Sequence, residues 1–314
     1  MDRPPAPQGW GIAFYSQPCP RPYTQSPPIH PPPHRTPPTL AHHPHPLPAP
    51  HASPRNPYIQ TSVPSIRKVI PMDDTNAMTV SRDTLLQAVT LVAVMTDEAV
   101  VRPGPDGWTM MAMSADRVAL AVVTVPSADV EGFDPAMEPF AVKVDDLLRA
   151  LKTRSERVSL RMESGRLVLR LDNTTQRLPL LTVPEVPMRA VPTVEGPSAM
   201  FPVTAVRGLL EVAHPRAVEV MLSIGPEGVR MTIPDDMGVG GTEVEVPADG
   251  CVWVDAHDTR MSRYPLERLS PFVRALPRDA PVQMTLDTDY PVRVEVQVPG
   301  CHVVWVAAPR LVSE

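Results

Sequence analysis

Cysteine is scarce in this chain: Cys19, Cys251 and Cys301 are the whole complement of 314 residues, and they are scattered. Three isolated thiols exclude a disulfide framework and fit a reducing compartment. No apolar run approaches the roughly 18 residues of a membrane span, and the N-terminus lacks the basic-then-apolar layout of an export signal. Also missing are the devices that mark many enzymes: a glycine-rich phosphate loop, a Ser-His-Asp set and a paired-cysteine motif. One polar cluster, Asp255, His257 and Asp258, has side chains able to ligate a metal. No second cluster with ligand spacing accompanies it, and a strand-to-helix turn capped by Asp258 or Thr259 explains it as well. A metal-dependent enzyme is therefore a distant alternative, and no cofactor is expected.

Proline and histidine are unevenly placed. Residues 1–71 hold 21 of the 43 prolines and six of the nine histidines, including Pro31-Pro32-Pro33 and a cluster at His42, His43 and His45. Such a composition cannot build a packed core. The remainder, 72–314, suits two domains of about 120 residues by the usual size range. The tail carries six basic residues against Asp2, a net of +5, so a chain of net charge −6 has a body of −11. An acidic body argues against nucleic acid, but acidic residues crowd 129–138 and 235–245, whereas Arg and Lys collect on the predicted helices.

The body repeats itself. Gly104-Pro105-Asp106-Gly107-Trp108-Thr109-Met110 recurs as Gly225-Pro226-Glu227-Gly228-Val229-Arg230-Met231, and at the same shift of 121 Val125-Pro126 falls on Val246-Pro247. Arg149-Ala150-Leu151 matches Arg274-Ala275-Leu276 at a shift of 125, as Leu167-Val168-Leu169 matches Val292-Arg293-Val294. A period this long is a duplicated domain rather than a solenoid repeat. Each half reads as helix, strands, helix, strands, an α+β pattern. Helices are expected near Ser81–Met95, Val144–Lys152, Val203–His214 and Leu266–Leu276. Strands include Arg117–Val123 and a hairpin turning at Ser164-Gly165.

Charge marks the second helix of each half. Arg149 and Lys152 share a flank of one, and Arg274 and Arg278 share a face of the other, opposite Leu269, Val273 and Leu276. Arg207 and Arg216 add positive charge nearby. A solvated face is the bland explanation for any one such run. Duplication places equivalent basic helices twice, however, and a concave surface lined by both would hold a duplex through phosphate contacts despite the net charge.

Met113-Ser114-Ala115-Asp116-Arg117-Val118-Ala119-Leu120, Val144 through Lys152, Thr288-Asp289-Tyr290-Pro291-Val292 and Ala307-Ala308-Pro309-Arg310 together resemble the DNA sliding clamps of the proliferating cell nuclear antigen family, the archaeal members above all. The resemblance covers nearly all of residues 78–314. It implies a DNA clamp fold: two duplicated domains, 72–182 and 201–314, joined by a connector over 183–200, each with two helices packed on antiparallel sheets, assembled as a homotrimeric ring. Such a ring encircles double-stranded DNA without reading sequence and tethers DNA polymerase, clamp loader, ligase and nucleases; it has no chemistry of its own. Location in an archaeal cytoplasm, at the nucleoid, follows from the same resemblance. A checkpoint-type paralogue acting as a protein scaffold is the nearest alternative.

Carried over by position, Arg149, Lys152, Arg207, Arg274 and Arg278 face DNA. Met113, Val118, Pro291, Ala307, Ala308 and Pro309 match the groove for partner peptides, bordered by Val186 and Met188 of the connector. Plain core positions are the other explanation for Met113, Val118 and the Ala-Ala-Pro segment. Subunits would join through an edge strand near Arg177–Leu181 and one near Glu243–Val246. Two features depart from the pattern: the first helix has almost no basic residue after Arg82, and Pro271 is expected to break the last helix, which restarts there. The tail is expected to be disordered, or not translated at all, with synthesis from Met72 or Met78. Gln8, Phe14 and Tyr15 have the spacing of a clamp-binding peptide, but Gly11 replaces the aliphatic anchor, and chance explains the match better.

Overall fold

The computed structural model describes residues 77–184, 191–234 and 241–310, all within one compact unit, Val69–Glu314. The first half runs β1 (Met78–Ser81), α1 (Arg82–Ala93), β2 (Glu98–Gly104), β3 (Gly107–Met113), β4 (Ala119–Pro126), β5 (Val130–Glu131), β6 (Phe140–Lys143), α2 (Val144–Ala150), β7 (Arg157–Glu163), β8 (Arg166–Leu171) and β9 (Thr174–Pro179). The second runs β10 (Ser198–Pro202), α3 (Val203–Val212), β11 (Glu219–Gly225), β12 (Gly228–Ile233), β13 (Thr242–Pro247), β14 (Trp253–Asp255), β15 (Arg260–Pro265), α4 (Leu266–Ala275), β16 (Pro281–Thr285), β17 (Val292–Val298) and β18 (Cys301–Ala307). The order of strands and helices is the same in both halves, as a duplicated unit requires.

Gly107 and Gly228 show why the repeated sequence is so faithful at the first hairpin. Their φ angles are +136° and +126°, and an added Cβ would lie 2.1 Å from the Val125 carbonyl oxygen and 2.2 Å from that of Val246. Both neighbours are backbone and cannot swing aside. Gly228→Ala is therefore expected to destabilise the protein by about 2–4 kcal/mol, measured by thermal or denaturant unfolding.

All strand pairings are antiparallel and form three sheets. One has five strands, β5-β1-β7-β8-β9, all from the first half, and one has four, β13-β12-β11-β15, all from the second. The third has nine: β14-β10-β16-β17-β18 of the second half continues into β4-β3-β2-β6 of the first. The seam is β18 against β4, with Val304 opposite Val122 and Val306 opposite Leu120.

Alternation along β4 gives this sheet two apolar faces. Ala119, Ala121, Val123 and Val125 enter the main core beneath α1, while Leu120 and Val122 join Val304 and Val306 in a separate cluster on the opposite face. The helices pack as a row, α2 on α1, α1 on α4 and α4 on α3. Phe272 of α4 stacks on Trp305 of β18 at a centroid distance of 5.0 Å, tying that row to the seam.

Two sequence expectations are corrected. The strand read from Arg117 begins at Ala119, because Arg117 adopts φ +61° in a turn closed by its amide donating to the Ser114 carbonyl. The last helix does not break at Pro271 but runs through it from Leu266 to Ala275. Pro271 lies on the exposed side, where the Glu267 carbonyl that loses its partner can be solvated.

Candidate functional site

The helix row and the second apolar cluster lie on opposite faces of the nine-stranded sheet, so the two candidate surfaces are separate. On the helix side, Arg149 is well exposed and pairs with Asp146 at 3.0 Å, one turn back on α2. Lys152 is exposed on the turn that follows α2. Arg274 is exposed in the last turn of α4, where a cation also offsets the helix dipole. Arg278 is exposed but sits on the turn beyond α4, not on a helical face shared with Arg274. Arg154, also exposed, lies beyond Lys152, where the helix expected from sequence ended.

Arg207 is different. It is half-buried, and its guanidinium donates to the carbonyls of Arg274 and Leu276, with Gln87 of α1 donating to that of Ala275 at 3.0 Å. These are the unsatisfied carbonyls at the end of α4, so Arg207 acts as a cap. Arg82 does the same for α2, its Nε donating to the Leu151 carbonyl at 3.0 Å. Both capping roles are invisible in sequence, since each donor is distant in the chain from the carbonyl it satisfies. α1, between α2 and α4, has no exposed cation among its residues.

On the opposite face, Val118 and Ala308 extend the seam: the Ala308 amide donates to the Val118 carbonyl at 2.8 Å. Their side chains continue the row made by Leu120 with Val306 and Val122 with Val304. Met111 and Met113 of β3, opposite Val122 and Leu120, flank the row, and Val191 packs on it. Where the seam ends, a cavity of about 500 Å³ opens between the halves, lined by Asp116 and Val118 on one side and by Ala217, Val218, Ala308 and Pro309 on the other. Val218 is more than half exposed there, an apolar side chain without cover.

The structure thus brings Val118, Ala308 and Pro309 together at the cavity and places Met113 on the adjoining apolar row. Pro291 is half-exposed at the start of β17 and does not line the cavity. Ala307 is fully buried in the main core, because alternation along β18 turns it away from the groove face. Val186 and Met188 lie outside the described residues. The chain entering and leaving that segment is anchored by two arginines: Arg102 donates to the Pro184 carbonyl and Arg293 to that of Pro192, each at 3.2 Å. The Arg293 guanidinium also holds the Glu295 carboxyl below the usual carboxylate range. Leu120, Val122, Val304 and Val306 were readable only as strand residues. Their signal is the unbroken apolar run in each of these strands, which marks burial on both faces.

Asp255, His257 and Asp258 border a second, polar cavity with Arg260 and Asp287. Arg260 places its guanidinium 2.6 Å from Asp258 and 3.6 Å from Asp287. Among the described residues no three His, Cys, Asp or Glu side chains converge as metal ligands. No helix among them is long and apolar enough to cross a membrane.

Comparison with known proteins agrees with the resemblance read from sequence. The chain is 23% identical over 250 residues to a DNA polymerase sliding clamp of Natronomonas pharaonis, covering 75% of this chain and 98% of that protein. It is 23% identical over 243 residues to one of Thermoplasma volcanium, covering 74% and 98%. Among solved structures it superposes on A. fulgidus PCNA bound to the C-terminal region of FEN-1 with a TM-score of 0.67 at 18% identity, over 76% of this chain and 99% of that one. For the PCNA2–PCNA3 complex of Sulfolobus tokodaii the TM-score is 0.66 at 17% identity, over 74% and 99%. No family model matches the chain.

Proposed function

We infer that this chain, a homologue of the archaeal DNA polymerase sliding clamps with their fold, is itself a sliding clamp: a processivity factor that closes into a ring around duplex DNA and tethers polymerase and nuclease partners to it. The observation that carries the reading is the unfinished sheet. Five strands of the second half and four of the first complete nine strands inside the chain; the remaining five, ending in β9, and four, ending in β13, are the same two parts without each other. By the repeat, β9 corresponds to β18 and β13 to β4. Pairing β9 of one copy with β13 of the next reproduces the internal seam between chains and covers both open edges. Repeating the joint extends the helix row as an inner lining, and the resemblance sets the number of copies at three.

Arg149, Lys152 and Arg274 are then the DNA-facing cations, with Arg154 and Arg278 beside them and Arg207 contributing chiefly as a cap. The apolar row and cavity on the other face are the partner groove, suited to a short peptide carrying a glutamine, an aliphatic residue and two aromatics. Contact with DNA through phosphates alone gives weak, sequence-independent affinity that falls steeply with salt. The Arg149→Ala/Lys152→Ala/Arg274→Ala variant is expected to lower polymerase processivity while its unfolding midpoint stays near that of the parent, because exposed charges contribute little to stability. Unchanged processivity would remove this face from the assignment.

A further inference from the structure

We propose that Arg268 is a positioning residue of the partner cavity: from α4 in the second half it grips the Asp116 carboxylate and so fixes the first-half loop that forms one wall. This rests on reading the cavity as the partner site. The cavity's walls belong to different halves, with Asp116 and Val118 on one side and Ala217, Val218 and Ala308 on the other. Its width therefore depends on what spans them. Arg268 does so directly, its Nε and one terminal nitrogen donating to the same Asp116 oxygen at 3.1 and 2.6 Å. The other Asp116 oxygen accepts from the Ser114 hydroxyl at 2.5 Å, and that hydroxyl accepts from the Ala119 amide at 3.0 Å. One carboxylate thus links α4 to the start of β4.

The loop between Ser114 and Ala119 needs such a hold. Arg117 adopts φ +61°, a conformation unfavourable for a side chain of its size. The Val118 carbonyl must be presented to the Ala308 amide for the seam to extend into the cavity. Glu267, exposed beside Arg268 at 3.8 Å, is the competing carboxylate, farther away and well solvated. The same helix carries Arg274 on its exposed face, so α4 connects the DNA side of the molecule to the wall of the partner cavity.

Two readouts on the full-length protein test this: calorimetric titration with a glutamine-aliphatic-diaromatic peptide, and hydrogen exchange at the Arg117, Val118 and Ala119 amides without peptide. Arg268→Ala and Arg268→Gln are expected to weaken peptide binding by roughly three- to ten-fold and to speed exchange at these amides, with oligomer mass unchanged. Arg268→Lys, which keeps the charge but not the two-pronged grip, is expected to fall between these variants and the wild type. Wild-type exchange in the Ala and Gln variants overturns the proposal, and so does faster exchange with undiminished affinity. If the wild type itself ignores the peptide, the partner reading fails, and the exchange data alone decide whether Arg268 holds the loop.

Discussion

The Thr175→Cys/Glu243→Cys variant is expected to cross-link head to tail into a closed covalent oligomer under mild oxidation, while either single variant yields none. The positions follow from the internal seam. Val304 lies opposite Val122 across β18 and β4. In β9, Thr175 takes the place of Val304, since Arg170 pairs with Thr175 as Glu295 pairs with Val304. In β13, Glu243 takes the place of Val122, since Thr232 pairs with Glu243 as Met111 pairs with Val122. Directly opposed residues of an antiparallel pair have Cα atoms about 4.5–5.5 Å apart, within reach of a disulfide. Both side chains are exposed in the single chain. The experiment uses a background with Cys19→Ser and Cys251→Ser; burial, reinforced by the Asp129 charge, pushes the Cys301 thiol up to about 12 and keeps it out of exchange. Cross-linking equally strong with the cysteine moved to Gln176 would show that the register is not inherited from the seam.

Ala308→Asp is expected to abolish peptide binding. A groove of this kind should bind its peptide in the micromolar range, about −8 kcal/mol. A carboxylate at 308 would be desolvated by the docked peptide beside Val118, and the cation lining the same cavity, Arg310, is already paired with Glu219 at 3.7 Å. The cost is on the order of several kcal/mol, which lowers affinity at least ~100-fold. Assembly should survive, because Ala308 lies at the internal seam's outer end and not on β9 or β13. Calorimetry against the peptide, with oligomer mass measured in parallel, checks both halves of the expectation; binding equal to the parent's would place the partner elsewhere.

The duplication was legible because it is written in residues that geometry cannot change. Gly107 and Gly228 hold positive φ against a carbonyl, and no other residue fits. The hairpin turn at Ser164-Gly165 was legible for the same kind of reason, with φ of +48° and +73°. Short strands such as β6 and β15, four and six residues leading directly into helices, gave too little periodicity to be read. The continuation of α4 through Pro271 depends on which side of the helix meets solvent, a tertiary fact. At the candidate sites, charge type and helix position single out Arg149, Lys152 and Arg274 as candidates, but whether a guanidinium is free or capping a helix depends on distant chain. Arg207, expected from sequence to face DNA, is engaged with the carbonyls at the end of α4. Val118, Ala308 and Pro309 do come together at one cavity; the apolar row beside it was hidden inside unbroken apolar runs of β4 and β18, where sequence shows burial but not which face is buried by what.

Encirclement is tested most directly with the covalently closed ring. The Thr175→Cys/Glu243→Cys protein, oxidised in the presence of circular duplex DNA and then washed in high salt, has its phosphate contacts screened away, so only a topological link can retain it. Retention on the intact circle, followed by complete release when a single cut linearises the DNA, is the predicted result. Release from the uncut circle in salt, or persistence on the linear product, would contradict it.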